Sequence, residues 1–273
     1  MIEHGILKRQ MAILLLWLSP LSFTACHGIH SMTGELQLIK EKPFSISPGK
    51  DLFVDVSSGG VMVTSWDKSE VYVKILGNEN AMEKMNFSMK GTEELVKITG
   101  KKKSSSSSWF SNINVKVEIK VPAEFNVDIN TSGGDVKCGG LTGRAKLNTS
   151  GGDVWTDKFS GYLNASTSGG DVYLFCYDAL IEASTSGGDI KLEYKGENKG
   201  IDLSTSGGNI KVKVPEDFNA SVELSTSGGD VSCSLNMSNI QKSSGSKLIG
   251  DINMGGEKLS ANTSGGDITV TSR

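Results

Sequence analysis

One acidic side chain returns at nearly constant spacing through the second half of this chain. Asp135, Asp153, Asp171, Asp189, Asn209, Asp230 and Asp267 each follow a Gly-Gly pair, with steps of 18, 18, 18, 20, 21 and 37 residues. The stretches around them repeat almost letter for letter, from NTSGGDVKC and STSGGDVYL to NTSGGDITV. A column of carboxylates has two chemistries open to it. It caps tight turns by accepting backbone N–H groups, or it shares a divalent cation. Calcium wants about six to eight oxygens, whereas each corner offers one Asp and lacks the Gly-Gly-x-Gly-x-Asp pattern of calcium-binding solenoids. Asn209 also fills the column without a charge. The column is therefore expected to cap turns with no metal or other cofactor, calcium being the alternative.

Other chemistry is thinly represented. The histidines are His4, His27 and His30, all outside the repeats, which excludes a histidine-based triad or zinc site there. Cys138, Cys176 and Cys233 lack CxxC spacing, and SGGD has neither the Lys of a phosphate loop nor the glycine spacing of a dinucleotide fingerprint. Arg144 is the only arginine in the repeats before Arg273. Regular acids, one per coil, read as scaffold, so no catalytic residue is assigned. A polysaccharide-active β-helix enzyme is the remote alternative. The formal charge of -3 argues against a nucleic-acid binder.

The elements that position the column follow from its flanks. Eight and six places before each Asp stand apolar residues such as Val127 and Ile129, Leu163 and Ala165, Ile201 and Leu203. One and three places after stand Val136 and Cys138, Val172 and Leu174, Ile210 and Val212. The residues between are mostly polar, and this period-two alternation marks half-buried strands on both sides of a corner. One unit cannot bury its apolar side alone, whereas a stack of units buries a continuous core. The expected fold is all-β: a β-solenoid of 18–21-residue coils with Ser-Gly-Gly-Asp corners, right-handed by the default chirality of such crossovers. In the gap before Asp267, LIGDINM reads as a worn copy around Asp251. Cys138, Cys176 and Cys233 fall in phase with the inward face and are expected to be buried.

Residues 123–273 hold the regular repeats. Residues 46–122 read as irregular earlier coils of the same architecture or a β cap. SSGG at 57–60 makes a related corner with Val61 in the place of the Asp, and NENAMEKMNF reads as a helical turn. KKKSSSSSWF, 101–110, reads as a long loop ending in Trp109 and Phe110, either a contact loop or a solvated insertion. Two places after the Asp, on the outward side, the column runs Lys137, Trp155, Tyr173, Lys191 and Lys211. Trp155 and Tyr173 are neighbours there. An aromatic pair of this kind binds a partner surface or stabilises the sheet.

The N-terminus differs. Lys8 and Arg9 precede the apolar run MAILLLWLSPLSF, the pattern of a secretory signal. SFTAC resembles the bacterial lipobox, with Phe23 in the usual Leu place. The resemblance implies a signal peptide over 1–25, a diacylglyceryl anchor on Cys26 and a tether over 26–45. Loss of Glu3, Lys8 and Arg9 leaves 26 basic and 30 acidic residues, a charge of -4. His27, in the place where Asp retains lipoproteins at the inner membrane, leans towards the outer membrane of a two-membrane cell.

The stretches VKVPAEFNVDINTSGGDVKC, LNTSGGDVWT, ASTSGGDVYL and IDLSTSGGNIKV, with SSGGVMVTSWDKSEVYVKI before them, resemble the DUF4097 family of bacterial surface and envelope proteins. The resemblance covers about residues 46–272 and departs at Val61. It implies a β-solenoid without known catalytic residues and a modest lean towards adhesion. The expected function is a lipid-anchored envelope scaffold that meets a glycan or protein partner through Trp155, Tyr173, Trp109 and Phe110. The alternative is an envelope structural or stress-regulatory component without an adhesive role.

Overall fold

The computed structural model describes residues 35–103 and 112–273. The signal segment, Cys26, Trp109 and Phe110 lie outside the described residues. In chain order the strands begin β1 (Gln37–Ser45), β2 (Asp51–Val56), β3 (Gly60–Trp66) and β4 (Glu70–Gly77). After the helix α1 (Glu79–Lys84) come β5 (Met85–Gly91), β6 (Leu95–Lys102), β7 (Val115–Pro122), β8 (Asn126–Thr131), β9 (Val136–Gly139) and β10 (Thr142–Asn148). Then follow β11 (Val154–Ser166), β12 (Val172–Thr185), β13 (Ile190–Lys195), β14 (Ile201–Thr205), β15 (Ile210–Val214) and β16 (Ala220–Thr226). The chain ends with β17 (Val231–Cys233), β18 (Met237–Ser244), β19 (Lys247–Ile252), β20 (Lys258–Thr263) and β21 (Ile268–Ser272).

The architecture is an all-β solenoid. Each coil places one strand before a corner and one after it, the corner being Ser-Gly-Gly-Asp or Ser-Gly-Gly-Asn in the seven coils from β8 onward, giving two sheets around a shared core. On the first sheet the strand order is β5-β6-β2-β8-β10-β11-β12-β14-β20-β16-β19-β18. On the second it is β1-β4-β7-β3-β9-β11-β12-β13-β15-β21-β17. β11 and β12 run through the second corner and serve both. The columns align in register, Val136↔Val154↔Val172↔Ile190↔Ile210↔Ile268. Among the described residues nine coils stack in parallel; at about 4.8 Å per strand they form a rod about 40 Å long.

The coils do not stack in chain order at either end. The coil β2–β3 lies between β6–β7 and β8–β9. The final coil β20–β21 lies between β14–β15 and β16–β17. LIGDINM is therefore not a worn corner: Lys247–Ile252 is β19, antiparallel to β16 and β18. Both inserted coils are paired on two sides and bury their inward apolar residues, as at Val54, Val63, Leu259 and Val270.

Three of the four sheet edges end in antiparallel strands, β1, β5 and β18, and β1 and β18 carry features that discourage edge pairing. β1 holds Lys40, Lys42 and Pro43 and is mostly exposed. It also corrects the tether, since Gln37–Ser45 is paired with β4. β18 is interrupted between Ser238 and Lys242, where Asn239 takes a left-handed φ of 48°. The helical turn near residue 80 is α1, capped by the Asn78 side chain accepting from the Ala81 N–H.

Of the three thiols, Cys138 and Cys176 are buried, and burial pushes both up to about 12. Cys233 is only half-buried, a departure from the expectation. It lies on the terminal coil of the stack, where β17 has a parallel neighbour on one side alone.

Candidate functional site

The corner is built from three side-chain roles. Thr167 is buried, and its hydroxyl donates to the Gly152 carbonyl of the preceding coil (2.8 Å). The same link recurs at Thr131, Thr149, Thr185, Thr205, Thr263 and Thr226. A net contribution of about 1 kcal/mol apiece is the usual scale for such bonds. The second glycine of each pair packs against the same glycine one coil away: a Cβ on Gly170 would stand 2.1 Å from the Gly152 oxygen. These second glycines are required by close stacking. In the Asp- and Asn-bearing corners they do not have positive φ, so close approach and not dihedral freedom is what calls for glycine there.

The Asp column links coils. The Asp171 N–H donates to Asp153 Oδ1 (2.8 Å), and the Asp189 N–H to Asp171 Oδ1 (2.8 Å). The ladder continues through the N–H of Asn209 onto Asp189, of Asp267 onto Asn209 and of Asp230 onto Asp267. At its other end the Asp153 N–H bonds Asp135. Each carboxylate except the terminal Asp230 thus accepts a backbone donor from the next coil, which offsets the like-charge repulsion of neighbours about 4.8 Å apart. Asp135 has no acidic partner before it. Register sets Val61 against Val136, so Gly60 stands in the Asp place rather than Val61, and Val56 takes the place of Thr131. Among the described residues no group of three or more His, Cys, Asp or Glu is disposed to hold a metal.

The outward column on the second sheet is where the sequence placed its partner-binding candidates, and Trp155 and Tyr173 do come together. Their rings stack with centroids 3.9 Å apart and planes inclined by 18°. Lys137 Nζ lies 5.8 Å from the Trp155 centroid, and Lys191 Nζ lies 4.9 Å from that of Tyr173. The four form a sandwich along the rod, cation–ring–ring–cation. Its outer ring faces are occupied by ammonium groups, so solvent meets ring edges and Trp155, which is 41% exposed. Beside it runs a shallow groove of roughly 510 Å³, lined also by Phe175, Lys211 and Lys213, with Asp157 and with Glu193, which is paired with Arg273. Phe175 and Lys213 were missed by the sequence reading, although they lie four places after the corner residue and so share the outward side.

The Tyr173 hydroxyl donates to Asp171 Oδ2 (2.6 Å). That bond, with some burial and the nearby carboxylates, pushes Tyr173 up to about 12 from the ordinary 10.0. The same bond holds Asp171 below its ordinary 3.8. The Tyr173 stabilisation is therefore complete below pH 10 and lost as pH rises through about 12. The Asp171 stabilisation is present above pH 3.8 and lost as pH falls through its lowered value. An ultraviolet difference titration is expected to show Tyr173 ionising near pH 12, and Tyr173→Phe to lower the amplitude there by one tyrosine. An unchanged amplitude after the substitution would place the bond elsewhere.

A family model described as Toastrack DUF4097 matches residues 126–271. No curated protein matches the chain. A candidate cell-adhesion protein from Clostridium sporogenes has a similar solved structure at 11% identity, covering 87% of this chain and 100% of that one, with a TM-score of 0.39. A candidate adhesin from Bacteroides fragilis matches at 11% identity, over 87% and 97% of the two chains, TM-score 0.38. A candidate lipid-binding protein from Parabacteroides distasonis matches at 15% identity, over 86% and 96%, TM-score 0.40.

Proposed function

The chain belongs to the Toastrack DUF4097 family, and from that premise we propose that it is a non-catalytic binding scaffold of the bacterial cell envelope. It is exported, held at the membrane by a lipid on Cys26, and meets a glycan or protein partner through the outward side of the second sheet. His27 favours the outer membrane where the cell has one. The observation that carries this reading is the Lys137–Trp155–Tyr173–Lys191 sandwich beside its groove, an exposed aromatic on a rigid sheet. Sheet strands hold such groups in place before contact, which lowers the ordering cost of association. Since the outer ring faces are covered, contact falls to ring edges and to the ammonium groups of Lys137, Lys191, Lys211 and Lys213. That chemistry suits an anionic partner. The test is a glycan-array and pull-down comparison of wild type with a Trp155→Ser/Tyr173→Ser variant. Loss of at least about tenfold in affinity is expected, the scale of an interface anchor; equal binding would remove this face from the function.

A second reading has its own support. A stack with both outer faces occupied, and with Tyr173 tied to Asp171, is also what sheet stabilisation alone requires. On that reading the protein is a structural or stress-regulatory envelope component. The double variant then loses about 1–2 kcal/mol of stability, the sum of the ring pair and exposed cation–π contacts, and no partner.

A further inference from the structure

The first sheet carries a trough on the other side of the rod. It spans the strands β6, β2, β8, β10 and β11, with a volume of roughly 570 Å³, within the range of about 300–1,000 Å³ typical of ligand pockets. Its floor is short and polar. Asn126 donates to Asp51 Oδ1 (2.9 Å) and accepts the Arg144 N–H (2.9 Å), and Asp128 accepts from Asn130 (2.8 Å). Phe53 stands at one end, with Lys97 Nζ 5.0 Å from its ring centroid. Tyr162 stands at the other, three strands along, where its hydroxyl donates to Glu182 (3.0 Å) on the coil beyond. Between the walls, Arg144 and Lys146 are exposed, and among the described residues neither side chain has an ion pair or hydrogen-bond partner.

We infer that this trough is a binding site for one acidic sugar unit, a pyranose ring carrying a carboxylate. Each part of the ligand has a matching part of the site. The apolar face of the ring packs on Phe53. Its hydroxyls exchange hydrogen bonds with Asp51, Asn126 and Asp128. The carboxylate meets the Arg144 guanidinium, whose planar fork suits it in bidentate geometry, with Lys146 alongside. A sugar phosphate fits less well. It carries a charge of about -1.5 to -2 at pH 7, and the two floor carboxylates oppose the extra charge. This site is independent of the aromatic sandwich, and its ligand is bound whether or not that face has a partner.

The test is an NMR titration of the full folded chain with glucuronic acid, glucose and glucose 1-phosphate, read at the backbone amides of β2, β8, β10 and β11. Glucuronic acid is expected to give saturable shifts there and to bind about tenfold more tightly than glucose, the scale of one charge-assisted hydrogen bond. Arg144→Gln is expected to remove that tenfold preference and leave glucose unchanged. Trp155→Ser/Tyr173→Ser is expected to leave all three titrations as in wild type, so that failure here and failure of the other face are read separately. The inference is overturned by shifts that do not saturate, by equal affinity for glucose and glucuronic acid, by tighter binding of glucose 1-phosphate, or by shifts that map to the second sheet.

Discussion

Gly170→Ala is expected to destabilise the solenoid by at least about 3 kcal/mol, whereas Gly169→Ala, one residue away, is expected to change stability by less than about 1 kcal/mol. The two glycines share a corner and an absence of positive φ, and Gly169 is exposed where Gly170 is buried. They differ in what a methyl group meets. On Gly170 it would lie 2.1 Å from the Gly152 oxygen and 2.5 Å from its carbonyl carbon, both backbone. Backbone can give way only by separating the coils, and Thr167 Oγ1 bonds that same Gly152 carbonyl. On Gly169 the nearest atom is 3.7 Å away, an ordinary contact. That substitution also reduces the freedom of the unfolded chain, which acts in its favour. Urea or thermal unfolding of the two variants reads the difference directly. Equal effects would mean that the corners are not in close contact along the rod.

The same corner marks how far the sequence is legible. The inward columns were readable because burial in a strand has period two, and the structure keeps Val127, Ile129, Val136 and Cys138 buried as that pattern requires. Asp153, Asp171 and their equivalents were readable as hydrogen-bond acceptors, but the bond crosses to the next coil, and nothing in a nine-residue repeat separates a bond within a coil from one between coils. Stacking order was not legible for a related reason. The inward columns are filled mostly with Val, Ile, Leu and Ala, so Ile268 fits against Ile210 and Val231 alike, and it pairs with both. The 37-residue gap before Asp267 was the available signal, since it leaves room for β18 and β19 between two coils. The trough was half legible. Nine places before the corner residue, Asn126, Arg144 and Tyr162 fall in one outward column, visible in the same alignment. Asp51 and Phe53 were hidden, because their coil enters the stack out of chain order.

Out-of-order stacking makes truncation after Glu257 the most severe change at the C-terminal end. In a solenoid stacked in chain order, stability is close to a sum over coils and nearest-neighbour interfaces, so loss of the last coil removes one coil and one interface. Here β20 lies between β14 and β16, and β21 between β15 and β17. Removing them takes away both interfaces and every parallel neighbour of β16 and β17. It also removes the Gly266 carbonyl that accepts from Thr226 (2.8 Å) and the Asp267 carboxylate that accepts the Asp230 N–H (2.9 Å). What remains of that end is β16, β19 and β18 in an antiparallel sheet with one apolar side uncovered, too little to hold a core. Hydrogen exchange is therefore expected to show residues 216–252 losing protection together in the truncated chain, while the coils of 126–195 keep theirs. Protease cleavage is expected to move into the same segment. If residues 220–252 instead retained slow exchange, the terminal coil would have to close directly onto β14 and β15, and the inserted position of β20–β21 would carry none of the stability assigned to it.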